Sequence, residues 1–115
     1  MKLQTEKGII GISPEVYAAI SGYAAMNCFG VKGMAAGSMS DGIVQLLKKE
    51  FMTKGVKVSF EGVLANIELH IVVEHGVNIT AVSKSIMNEV RYVVERYTGT
   101  TVNRINIYVD SIMSD

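Results

Sequence analysis

The residues best placed to do chemistry in this chain are a glycine–methionine stretch, two histidines, one cysteine and a lysine-rich segment. The stretch FGVKGMAAGSMSDG (29–42) is the densest of them. A Walker-type phosphate loop requires a lysine and a hydroxyl directly after its last glycine, because the first reaches the phosphates and the second ligates magnesium. Here Gly33 is followed by Met34. A dinucleotide loop requires G-x-G-x-x-G between a strand and its helix, whereas this stretch reads G-x-x-G-x-x-x-G between two expected helices. Both nucleotide cradles are therefore rejected. The tetrad Gly30-Val31-Lys32-Gly33 does have the spacing of the loop by which KH domains clamp single-stranded nucleic acid between two helices, so KH-like binding through Gly30–Gly33 is the alternative functional reading. The plainer one is a helix stop followed by a connector. In that connector Met34 and Met39 either fill gaps in the core or are offered to a partner, since methionine packs adaptably in both settings.

His70 and His75 are the only histidines, and His70 alternates with Glu68 and Glu74 on one face of an expected strand. A carboxylate–imidazole cluster is conceivable there, but a closed metal site would need ligands from another strand. Cys28 is the sole cysteine, which removes intramolecular disulfides and cysteine-based zinc sites. It lies in an apolar stretch and reads as a small buried hydrophobe. G-x-S-x-G is absent, and no Cys–His pairing is legible locally. Asn78-Ile79-Thr80 fits a glycosylation sequon but reads better as a helix N-cap. The lysines of KKEFMTKGVK are interrupted by Glu50 and read as a solvated helix end. No catalytic residue, metal ligand or cofactor is assigned.

The elements that must position these residues follow from composition and period. The 115 residues suit one domain, and 49% hydrophobic content suits a packed core. Eleven basic and eleven acidic residues cancel, so net charge gives no pull toward nucleic acid or an anionic membrane. The longest uncharged run, 16–31, is too short and too polar to span a bilayer. MKLQTEKG carries no apolar signal core, and a cytosolic location with no direct membrane insertion is expected.

GIIGI (8–12) reads as a short strand. Ser13-Pro14-Glu15 then opens a helix, with Val16, Ala19, Ile20, Tyr23, Ala24 and Asn27 at helical spacing and Ala18, Gly22 and Ala25 permitting close approach. Gly30 stops it. Ser40 or Asp41 is expected to cap a second helix with Ile43, Leu46, Leu47 and Phe51 on its apolar side, ending at Gly55. VKVSF (56–60), a turn at Glu61-Gly62 and an alternating strand over 63–75 come next. A helix at about 79–97 buries Ile79, Val82, Ile86, Val90, Val93, Val94 and Tyr97, and a strand over 102–112 follows it. The fold class is α+β: a single domain of order β-α-α-β-β-α-β, a mixed sheet with helices packed on one face. The last two strands are parallel through a right-handed crossover.

Taken in order, GIIGISPEVYAAISGYAAMNCFGVKGM, GVKV, ELHIVVEHGVNI and VERYTGTTVNRINIYVDSI resemble the alkaline shock protein family of Gram-positive bacteria, a family tied to envelope stress, over roughly Gly8 to Ile112. The resemblance implies a small protein without known enzymatic activity, linked to cell-envelope homeostasis, in a family some of whose members collect at the membrane through a membrane-anchored partner. It supplies no catalytic set. The expected function is thus a non-enzymatic interaction protein that self-associates, as a homo-oligomer, or binds a protein partner. Gly30, Val31, Lys32, Gly33, Met34 and Met39 are its expected partner-binding residues.

Overall fold

The computed structural model describes residues 1–5, 7–36 and 45–114, with the side chains of Leu3 and Thr5 left aside. The strand β1 (Lys2–Thr5) pairs antiparallel with β2 (Gly8–Gly11) as a separate two-stranded ribbon. Helix α1 (Pro14–Met26) follows, then β3 (Val31–Ala36), β4 (Gln45–Leu46) and a 3-10 helix at Lys49–Gly55. The chain closes with β5 (Val56–Glu61), β6 (Leu64–Glu74), helix α2 (Ile79–Thr98) and β7 (Thr101–Met113). The architecture is the expected α+β one, with the 3-10 helix as the second helical element and strands β1, β3 and β4 added to the expected order.

β6 organises the sheet. One edge pairs antiparallel with β5 along its first half and with β3 along its second, while the other edge pairs with β7 in parallel. The parallel pairing is the one expected across the final crossover. Alternation along β6 sends Ala65, Ile67, Leu69, Ile71 and Val73 into the core, where Val82, Ile86, Val90 and Val94 of α2 meet them. Burying each such aliphatic side chain stabilises by about 1.5–3 kcal/mol. Glu68 and His70 point to the opposite, wetter face.

Local chemistry sets the boundaries. Asn78 Oδ1 accepts the Ala81 N–H at 3.0 Å, so the sequon is an N-cap, as expected. Gly99, at φ +73°, closes α2 in the left-handed region that disfavours side chains. Gly62 has φ +61° and the loop is Gly62-Val63, one residue later than expected, which leaves Val63 72% exposed.

Three expectations need correction. The residues after Gly30 are not a connector, because Val31–Ala36 is a strand paired with β6. The second helix is short and of 3-10 type, and Leu46 and Phe51 are exposed instead of forming its buried side. Its expected caps, Ser40 and Asp41, and Ile43 lie outside the described residues. Finally, Ile79 and Tyr97 lie off the buried stripe of α2, with Tyr97 72% exposed.

Candidate interaction surface

The helical side of the molecule carries an apolar groove. α1 contributes Ala19, Ile20 and Tyr23, α2 contributes Val93 and Tyr97, and the 3-10 helix contributes Met52. The groove encloses about 580 Å³ and has Asn27 and Glu89 at its polar margin. It exists because α1 is apolar nearly all round. Tyr17, Ala18, Ser21, Gly22 and Ala25 face the interior, while the stripe Ala19–Ile20–Tyr23, whose helical spacing suggests the buried face, lies in the groove. Gly22 faces Met52 of the 3-10 helix and Val56 of β5, where a Cβ would make ordinary contacts at 3.5 Å. Tyr23 is 54% exposed, so two aromatic rings stand at the groove with hydroxyls able to meet water.

The residues expected to bind a partner are distributed differently. Gly30 is buried with φ +87°, and a Cβ there would come within 2.8 Å of Val82 Cγ2. Val31 and Lys32 are half-buried in β3. Gly33 is buried, and a Cβ would meet Leu46 Cδ1 at 2.9 Å. Met34 is fully buried in the core, so of its two readings the structure takes core packing, and its side chain is not offered to solvent. Met39 lies outside the described residues. Gly30-Val31-Lys32-Gly33 is therefore not a loop between two helices, and the KH-like alternative loses the structural context that its backbone clamp requires.

On the sheet face opposite the helices, His70 occupies the centre of a polar cluster. Its Nδ1 lies 2.9 Å from Asp110 Oδ2 and its Nε2 lies 2.9 Å from Glu68 Oε2, with Lys57 3.8 Å beyond on Glu68. The Tyr108 ring stacks on the imidazole at 4.9 Å. Both imidazole nitrogens face carboxylates, so neither ring nitrogen is turned to open solvent. Glu68 and His70 are legible as a same-face pair in the sequence. Asp110 is not, because the register between β6 and β7 slips near it. Among the described residues, no group of three or more His, Cys, Asp or Glu side chains is arranged to hold a metal ion.

Cys28 is half-buried at the end of α1. Burial raises its thiol pKa above the ordinary value, a hydrogen bond with Ser85 opposes this, and the Glu89 carboxylate adds to the rise. Among the described residues, no helix is long and apolar enough to cross a membrane.

The chain belongs to the alkaline shock protein 23 family, described as having a cell envelope-related function, whose model matches residues 2–114. This is the family that the ordered segments resemble. Among its relatives, YloU of Bacillus subtilis is 37% identical over 113 residues, covering 97% of this chain and 94% of that one. Spy1614 of Streptococcus pyogenes serotype M6 is 36% identical over 113 residues, at 97% and 93% coverage. A second B. subtilis protein, YqhY, is 34% identical over 111 residues, at 96% and 82%. All three are described as uncharacterized. No solved structure matches the chain significantly.

Proposed function

We propose that this protein is a non-enzymatic interaction module of cell-envelope homeostasis, working in the cytoplasm by binding a membrane-anchored protein and by self-association. The observation that carries the first part is the α1–α2 groove. An apolar cleft of about 580 Å³ with exposed Tyr23 and Tyr97 at its sides suits the apolar face of an amphipathic helix. Among the described residues, Glu89 is the one charged residue lining it, which favours a partner helix with a basic residue beside its apolar stripe. The family's envelope-related description supplies the setting.

The test is photocrosslinking in native cells from a benzophenone amino acid placed at Tyr97. The expected product is an adduct with a membrane protein, lost when Tyr23→Asp is added while the circular dichroism spectrum is unchanged. An adduct that persists with Tyr23→Asp, or one obtained equally from Asn106 on the opposite sheet face, overturns the groove as the docking site.

A further inference from the structure

The outer edge of β7 differs from the other sheet edges in length and in how it is protected. β7 spans Thr101–Met113 and pairs with β6 alone among the described residues. At its start, α2 takes the place of a neighbouring strand. The Val102 N–H donates to Glu95 Oε2 at 2.8 Å, and the Val102 carbonyl accepts from the Arg91 guanidinium. Those contacts show that the Val102 backbone points away from β6. After the register slip at Asn103 the ladder resumes at Arg104 and runs to Val109, where a second slip falls at Asp110. Alternation through this stretch directs the N–H and C=O groups of Ile105, Ile107 and Val109 to the outer edge. An exposed edge of this kind is a template for another strand unless something blunts it. The side-chain cap from α2 stops at Val102.

We propose that this edge pairs antiparallel with the same edge of a second copy, centred on Ile107, to form one continuous sheet. The proposal rests on the self-association part of the function proposed above and names its surface. Its register follows from charge and polarity. Centring on Ile107 sets Arg104 opposite Asp110 of the second copy, Ile105 opposite Val109 and Asn106 opposite Tyr108. Ile107 and Val109 are half-buried on the helical side, and this pairing continues their apolar row across the junction. Moving the centre by one residue sets Arg104 against Tyr108 or Ile112 and leaves it with no carboxylate opposite. Centring on Arg104 or Asp110 opposes like charges, which is destabilising in a sheet. The Asp110 side chain is 8% exposed and its Oδ2 is taken by His70 at 2.9 Å, so Arg104 of the second copy adds to a carboxylate that already has one partner. An edge-to-edge junction is small, so the dimer belongs to the weak, concentration-dependent class.

The register can be read by disulfide trapping in a Cys28→Ser background. Asn106 and Tyr108 would form a non-hydrogen-bonded pair, with Cα atoms about 4.5 Å apart and within disulfide reach. Mixing Asn106→Cys with Tyr108→Cys under mild oxidation is expected to give the mixed dimer in at least about fivefold excess over either homodimer, and Arg104→Glu is expected to suppress it. A homodimer-only pattern points to a shifted register and overturns the proposal, as does the absence of the mixed product. Sedimentation of the wild-type chain separates the two levels. Self-association without the mixed crosslink removes this edge but keeps the broader reading, whereas a monomer at every concentration removes both.

Discussion

At the scale of single residues, side chains act here mainly through where burial puts them. Met34 is the instructive case. The sequence allows it either surface or core, because methionine suits both, and the choice depends on whether its segment is a loop or a strand. Once Val31–Ala36 pairs with β6, alternation drives Met34 into the core. Cys28 is the residue whose reactivity burial alters most directly. Its thiol is raised by desolvation, so at pH 8 a smaller fraction is thiolate than for an exposed cysteine. Alkylation by iodoacetamide is expected to be several-fold slower than that of a model thiol at pH 8. The gap should narrow as pH rises through the thiol's own titration, and stopped time courses between pH 7 and 10 would show it. A rate equal to the model thiol at pH 8 would contradict this account.

Among the elements, legibility follows period. β5, β6, α2 and β7 alternate or recur cleanly, and each lies where its pattern puts it. β3 escapes a sequence reading because Val-Lys-Gly-Met-Ala-Ala has little β propensity and no alternation. It is a strand because the second half of β6 needs a partner beyond the end of β5, a long-range demand that no local window contains. The register between β6 and β7 is hidden for the same reason, and with it the place of Asp110. α1 is legible as a helix but its buried face is not, since a helix apolar on nearly all sides has no single stripe to read. Gly30 joins two of these elements. It takes φ +87° at the entry to β3 and sits against Val82 of α2. Gly30→Ala combines a disfavoured backbone region with a 2.8 Å approach and is expected to destabilise by more than about 1 kcal/mol. Urea unfolding should show a lower midpoint at unchanged slope. By contrast, Gly62→Ala meets no neighbour within 4 Å and carries only the backbone strain.

For the whole molecule, the governing feature is that the helices pack on one side of the sheet, while Glu68, His70 and Tyr108 lie on the other. An antiparallel edge-to-edge pair in a continuous sheet has its two-fold axis normal to that sheet. Two copies joined along β7 therefore carry both helical layers, and both α1–α2 grooves, on the same side. Such a pair is bivalent toward anything arrayed on a plane. Against partners anchored in a membrane, the second engagement becomes intramolecular, and avidity can exceed single-site affinity by roughly 10²–10⁴ without a new contact. Retention on a surface should therefore rise steeply with the density of immobilised partner for the wild-type chain and only in proportion for Arg104→Glu. Equal density dependence for the two would refute bivalence. If copies pair in this way, one-sided packing would give a small domain a directional, density-sensing grip.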